Sequence, residues 1–568
     1  MDLPRLTPAD LRAATLGADA AVETPFGVRP LVYADYTASG RQLAFVEDYL
    51  RALAPRYANA HTEDSLTGRT ATHLLHAAER AIKASVGAGP GGKVVACGNG
   101  STAAIHKLQE ILGVAVPPAT WHALREAGGD ALARAVEASQ PVVFVGPYEH
   151  HSNEVTWRES LCTVVEVDLD ADGNVCLADL RRQLADPRWA GRPLIGSFSA
   201  ASNVTGVLAP VREIARALHR AGALALFDYA AAGPYVEIDM CPADDPDAHL
   251  DAVFLSPHKC LGGPGAAGLL VFHERLYPKD LPPSVGGGGT VAYVGPTFHD
   301  FVDDVEARET AGTPGFFQTL RAALALQVKD AVGPDAIAAR EHALVERAFA
   351  RWAETGRVEI LGPADPSRRL GIVSFNLRCA DPDEPGPAGR VLHPRFATVL
   401  LNDLFGIQSR AGCSCAGPYG HRLLGIDHVR AASLRSAVHN GHFGIRPGWC
   451  RVGFHFAMDD AEADYVIEAV AFLAAHGDRF LPLYRFDVDS GAWTHATASP
   501  AASPAFGLAA ALAPAPVTPD LAGDARRAAY ADALAAARDL ASALPSPDTS
   551  ARLDASLADL QFFALATA

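Results

Sequence analysis

Short apolar runs separated by polar, glycine- or proline-bearing turns recur through the first half of the chain. The runs at 93–97, Val142–Val145, 164–168, Leu194–Ser199, 223–229 and 252–255 are rich in Val, Ala, Leu and Phe. Runs this short that do not alternate with polar residues read as strands buried on both faces. Between them, segments with apolar residues every three or four positions at 67–86, 103–112, 177–185 and 210–221 predict helices. Strands alternating with helices in this way predict a parallel sheet closed by right-handed crossovers. One further strand, within AGLLVF, follows 252–255 across a glycine-rich turn.

The second half predicts a smaller α/β layer. Helices at 315–331 and near 335–355 lead to strands at 357–361, 370–377 and 449–456, with helices at 394–405 and 460–475. The chain therefore divides into an N-terminal arm with a helix opening at Thr7-Pro8 (1–30), a large domain (31–335), a small domain (336–480) and an extension (481–568). Residues 115–140 form a charged insertion in the large domain that reads as a helix pair or lid. The extension reads as a hairpin at 483–493, an Ala/Pro/Ser linker at 495–517 and two helices, 519–544 opening at Thr518-Pro519, and 549–563.

Composition narrows the function. With 568 residues, 49% hydrophobic and 20% charged, the chain can bury large cores without staples. A net charge of −17 argues against nucleic acid and anionic membranes as partners. No apolar run approaches membrane-spanning length, and the start lacks the order of a secretory signal, so the expected compartment is the cytoplasm. The nine cysteines show no zinc-like spacing, and no metal site is expected.

The chemistry concentrates where strands end. Lys259 follows strand 252–255 in Ser256-Pro257-His258-Lys259, at the edge where open α/β sheets place their ligand crevices, and a lysine there can form a Schiff base. Gly262, Gly263 and Gly265 lack a Cβ and are expected to let the backbone turn with φ > 0 and a planar group approach. Asp228 ends the neighbouring strand and offers a buried negative charge. Gly98-Asn99-Gly100-Ser101-Thr102 turns from a strand into a helix, an anion site by virtue of free N–H groups and the helix dipole.

Lys259 and Asp228 in this arrangement resemble pyridoxal phosphate (PLP) enzymes of the aspartate aminotransferase fold, and more narrowly the class V branch that contains cysteine desulfurases and selenocysteine lyases. Further segments follow in family order. Asp35-Tyr36-Thr37-Ala38-Ser39 resembles Y-L-D-x-A-A-x, and 57–62, YANAHT, resembles an asparagine/histidine substrate loop. Glu149-His150-His151-Ser152-Asn153 resembles E-H-H-A-N, Glu309–Pro314 resembles E-A-G-T-P, and IQSRAGCSCAGP at 407–418 resembles the R-x-G-x-x-C-A-x-P loop of group II desulfurases.

The resemblance, which spans roughly residues 30–480, implies a PLP-dependent fold type I with a mixed, mostly parallel large sheet and a small α/β domain, to which the later residues add a helical C-terminal extension. It implies PLP held by Ser101, Thr102, His150, Asn203, Asp228, Ser256, His258 and Lys259, with Thr313 acting across a homodimer. It places an amino-acid substrate against Asp35, Thr37, Ala38, Asn59, His61, Arg410 and Arg451, and Lys259, His150 and Cys415 at the chemistry, with Cys415 aligned to the persulfide-forming cysteine. Flanking glycines are expected to make the Cys415 loop mobile, and Cys413 reads as incidental. One residue departs from the pattern, since Ala231 stands where the family's D-x-A-Q has glutamine. Two alternatives stay open: another class V reaction (β-lyase, aminotransferase or epimerase), which needs no Cys415, and a PLP-binding protein without turnover. The extension reads as a packing or dimer element, with docking of a sulfur-acceptor protein as the other reading.

Overall fold

The protein is described here from a computed structural model, which covers residues 3–60, 62–379, 390–497, 505–513 and 520–567. A seven-stranded sheet organises the large domain, in the order Gly92–Cys97, Gly268–His273, Ala252–Leu255, Leu224–Asp228, Leu194–Ser199, Val142–Val145 and Thr163–Glu166. Gly268–His273 runs antiparallel to both neighbours, and the other pairings are parallel. The four side chains of Val142–Val145 and those of Ala252–Leu255 are each at most 1% exposed, which explains their lack of polar alternation. Helices Leu66–Ser85, Gly100–Ile111, Leu177–Leu184 and Val211–Arg220 accompany the sheet, within a few residues of the predicted spans.

Register decides where the chemistry gathers. Asp228 pairs with Phe254 and Ser199 with Asp228, so three parallel strands end level at one edge. Lys259 follows in the single 3₁₀ turn Pro257–Lys259.

The small domain carries an antiparallel sheet in the order Val358–Ile360, Ile372–Leu377, Trp449–Gly453, Arg410–Gly412. Helices Pro394–Phe405 and Asp460–His476 match their predicted spans, whereas strand 449–456 stops at Gly453. Val32–Tyr33 adds a parallel pairing to Ile407–Gln408, tying the chain's beginning to the segment that leads into the cysteine loop. Thr7 opens helix Pro8–Ala14 with a reciprocal capping box to Asp10.

The sequence did not predict the hairpins Ala21–Thr24/Gly27–Pro30 and Val291–Val294/His299–Phe301, nor helices Gly417–Leu423 and His428–His439. These elements are short or lack a clear apolar stripe, so periodicity carries little signal for them. The 115–140 insertion forms helix Pro118–Ser139, broken at Gly129 (φ 58°), with none of its residues buried. It is thus a helix pair standing in solvent.

In the extension, hairpin Tyr484–Phe486/Trp493–His495 forms as predicted. The expected opening at Thr518-Pro519 lies outside the described residues, and the long helix spans Asp524–Ala543. It packs on Asp460–His476 through Tyr530, which stacks on Tyr465 at 4.2 Å, and through Arg526, which pairs with Asp459. Such an aromatic pair adds about 1 kcal/mol beyond area burial. The second helix, expected at 549–563, does not form. That stretch is extended apart from one 3₁₀ turn, Ala558–Leu560. The Gln561 side chain accepts from Leu553 N–H and donates to the carbonyls of Ala551 and Phe563, taking over bonds a helix would make internally. Phe563, fully buried, bridges to Val391 and meets His393 edge-on at 4.6 Å. Long-range burial outweighs local helix preference here.

Candidate active site

Lys259, Asp228, Ser101, Thr102, His150, Asn203, Ser256 and His258 line one cavity of about 170 Å³, together with Asn99, Gly100, Ser199 and Ala231. All eight residues assigned to the PLP contact within one chain are therefore brought together. Burial raises the pKa of Asp228 and lowers that of Lys259, and the opposite charge of each resists the shift of the other. Ala230 N–H donates to Asp228 Oδ1 at 2.8 Å and the Ser101 hydroxyl also bonds this carboxylate, and both bonds oppose the upward shift that burial imposes.

At the other end of the cavity, Ser101 N–H donates to Ser256 Oγ at 2.8 Å. Gly100 sits at φ +59°, and a Cβ there would meet Ser256 Oγ at 2.8 Å and His258 Cε1 at 2.9 Å. Gly262 (φ 75°) and Gly265 (φ 89°) turn the backbone with φ > 0 as expected. Gly262, Gly263 and Gly265 do not line the cavity, so they leave no room for a planar group there; a Cβ on Gly263 would fall 1.8 Å from the Pro257 carbonyl oxygen. Gly263 thus lets the backbone fold back on the lysine turn, and Gly100 is the glycine at the cavity wall.

His150 is held neutral, its pKa pushed down to about 4 by burial and by the charges of Lys259, His151 and Arg451. Burial and Lys259 push His258 down to about 4 as well. A folded pKa below the ordinary value of about 6.5 means that the folded state binds fewer protons. The stability from these rings is therefore complete above pH ~6.5 and is lost as pH falls through about 4. The melting midpoint of the protein should fall across that window, and His150→Asn should make the fall shallower. An unchanged slope in differential scanning fluorimetry would contradict the assignment.

Outside the cavity lining, but within electrostatic reach of Lys259, two arginines meet on Asp35. Its Oδ1 accepts from Arg451 Nη2 at 2.9 Å and its Oδ2 from Arg410 Nε at 3.0 Å. Arg451 is only 3% exposed, donates Nη1 to the Asn203 carbonyl at 2.9 Å, and its Nε has no partner among the described residues. Thr37 is buried and Ala38 N–H closes the turn on the Asp35 carbonyl at 2.9 Å, so these two shape the segment that presents Asp35. The turn packs on the lysine segment, with Gly40 N–H donating to the His258 carbonyl at 2.8 Å. Asn59 and Thr313 meet each other, Nδ2 to Oγ1 at 3.3 Å, and neither lines the cavity within one chain. His61 lies outside the described residues.

The cysteine loop is pinned where mobility was expected. His151 N–H donates to the Cys415 carbonyl at 2.8 Å, Gly417 N–H to His151 Nε2 at 3.0 Å, and Asn203 Nδ2 to the Ser414 carbonyl at 2.7 Å. Ser414 and Cys415 both adopt left-handed backbone, φ 51° and 57°, which side chains other than glycine resist by roughly 1–2 kcal/mol. These contacts hold the turn in place and leave the Cys415 side chain exposed, within electrostatic reach of Lys259. Cys413 is half-buried against the core.

Sequence reasoning overlooked two supports. His151 ties the cysteine loop to the large domain. Glu149, 3% exposed, accepts from Ser199 N–H and Oγ (2.8 and 2.6 Å), from Asn153 Nδ2 (2.7 Å) and from Gly146 N–H (3.2 Å). Burial pushes its pKa up to about 7. An acid directly after a fully apolar strand was the available signal for this knot.

The residues fit PLP. Asn203 Oδ1 is a buried polar atom with no partner among the described residues, and the Asp228 carboxylate, the first turn of helix Gly100–Ile111 and Lys259 all line the same cavity. Ala231 presents only a methyl group to the cavity.

Comparison with known proteins agrees with this arrangement. A protein of Halalkalibacterium halodurans named "Probable cysteine desulfurase" is 26% identical over 394 residues, covering 68% of this chain and 85% of the relative. A protein of the same name from Streptomyces coelicolor is 28% identical over 445 residues, 78% and 91% of the two chains. The apo structure of a cysteine desulfurase from Thermococcus onnurineus superposes with a TM-score of 0.62 at 22% identity, over 84% of this chain and 99% of that one, which shows a shared fold. The family description Aminotransferase class-V matches residues 130–466, more than half of the sequence. The chain belongs to the aminotransferase class-V family.

Proposed function

We propose that the protein is a PLP-dependent cysteine desulfurase, which takes sulfur from L-cysteine, or selenium from selenocysteine, onto Cys415 and releases L-alanine. The observation that carries this reading is the exposed Cys415 side chain, on a turn whose backbone is bonded by His151 and by Asn203, itself a lining residue of the Lys259 cavity, and within electrostatic reach of Lys259. A lyase, aminotransferase or epimerase would need the lysine but not a thiol fixed there.

PLP would be held by Lys259, Asp228, Asn203, His150 and the Ser101–Thr102 turn, and when bound it supplies an electron sink next to the substrate's α-carbon. The Asp228 carboxylate lines the cavity, and Lys259 resists the upward pull of burial on its pKa. Burial lowers the pKa of Lys259, so its ammonium releases a proton more readily and the neutral amine is accessible for taking a proton from the α-carbon and returning one. Arg451 and Arg410 offer guanidinium donors to the substrate carboxylate, which would share them with Asp35. The Cys415 thiolate attacks the substrate sulfur: an S–S bond forms at Cys415, the Cβ–S bond breaks, and its electron pair stays with carbon, which takes up a proton to give alanine.

The reading includes a homodimer, supported by the exposed side chains of Tyr293, Val294 and Phe298 on an apolar hairpin. It also includes a protein acceptor for the persulfide, which the exposure of Cys415 permits. Among the described residues no helix is long and apolar enough to cross a membrane. The test is alanine formation by PLP-loaded protein given L-cysteine and a reductant. Alanine with matching sulfide is expected; PLP binding with no alanine from either L-cysteine or L-selenocysteine would overturn the reading.

A further inference from the structure

A larger hollow, of about 600 Å³, lies between the small-domain sheet, the helices that follow Cys415 and the C-terminal tail. Arg378, Arg390, Arg430 and Arg552 reach it, against the carboxylates of Glu359 and Asp559. In a chain of net charge −17 this local excess of guanidinium groups runs against the background. Part of it is already engaged. Arg378 pairs with Glu359 at 3.0 Å and Arg390 donates to the Thr549 carbonyl at 2.9 Å. Arg430 and Arg552 are exposed and form no ion pair among the described residues.

A second feature points into the same hollow. Asn376 lines it, is 6% exposed, and its Oδ1 has no hydrogen-bond partner among the described residues. A buried acceptor left without a donor is unfavourable, and a ligand hydroxyl would supply one. Planar guanidinium forks match the oxygens of a phosphate, and the apolar side chains of Ile426, Leu434 and Phe562 suit the carbon part of a small ester.

The hollow also borders both ends of the cysteine loop. Gly448 lines it, and a Cβ there would lie 2.7 Å from the Gly412 backbone. Gly412 pairs with Trp449 on the approach to Cys415. On the far side, Leu423 and Leu424 close the helix Gly417–Leu423 that begins just after Cys415.

We propose that this hollow binds a small phosphate ester, its dianion held by Arg430 and Arg552 and a hydroxyl given to Asn376 Oδ1, and that occupancy steadies the Cys415 loop. The ester binds from solution and needs no chemical step.

The test uses the PLP-loaded protein, so that the Ser101–Thr102 turn is already taken, with glucose 6-phosphate, inorganic phosphate and glucose as probes in titration calorimetry. Glucose 6-phosphate is expected to bind, inorganic phosphate to bind more weakly, and glucose not at all. The Arg430→Ala/Arg552→Ala variant, altered only at exposed positions, should bind the ester at least tenfold more weakly. Alkylation of Cys415 by iodoacetamide should slow several-fold with glucose 6-phosphate in wild type and stay unchanged in the variant. Absence of binding by both phosphate probes at millimolar concentration, or equal binding by the variant, would overturn the site. Equal binding of ester and inorganic phosphate would overturn the role of Asn376, and an alkylation rate indifferent to bound ester would overturn the steadying of the loop.

Discussion

Lys259→Ala is expected to lower alanine formation from L-cysteine by at least about 10³-fold, within the range a positioned proton-transfer group contributes. The residue is half-buried just beyond a three-strand edge, and among the described residues no second lysine lines the cavity. Its neutral form is favoured by burial, so the amine can both attach to a carbonyl and carry a proton. Alanine at this site leaves Asp228 buried with its nearest opposite charge removed, so its pKa should rise further. Two readouts check this: the absorbance band of the lysine-bound chromophore disappears, and deuterium exchange at the α-carbon of L-alanine in D₂O stops. Residual exchange near the wild-type rate would show that another group moves the proton.

Cys415→Ser is expected to lose alanine formation from L-cysteine by about 100-fold or more, equivalent to ~2.7 kcal/mol in the barrier. Serine keeps the backbone that His151 and Asn203 hold, because those bonds go to the carbonyls of residues 415 and 414, so the loop should fold as before. It lacks the thiolate that accepts sulfur. The variant should still bind PLP and still exchange the α-proton, which separates it from Lys259→Ala. Full activity in Cys415→Ser would rule out sulfur transfer to this residue and favour a lyase. Cys413→Ser should remain active, since that thiol is half-buried against the core.

Legibility of the site followed chain proximity. Lys259, Ser256 and His258 stand in one short turn, and Ser101 and Thr102 in another, so each cluster was readable from a single segment. The pairing of Arg451 and Arg410 through Asp35 was not, because it joins three segments far apart in sequence. The close approach at Gly263 was not legible for the same reason: it is to the Pro257 and Cys260 carbonyls, and only the folded turn shows which atoms meet.

By itself the sequence determined the order of strands and helices, the lysine and aspartate at strand ends, and the cysteine set in a polar loop. Buried strands must be apolar and crossings need glycine or proline, so these features leave a local signature. Tertiary structure decided the rest. It held the cysteine loop through His151 and Asn203, turned the tail at 549–563 into an extended cover for the small domain, and assembled the arginine-lined hollow beneath it. Each of these depends on burial and hydrogen bonds between residues distant in the chain, whose free energy outweighs local preference and leaves no periodic trace in the sequence.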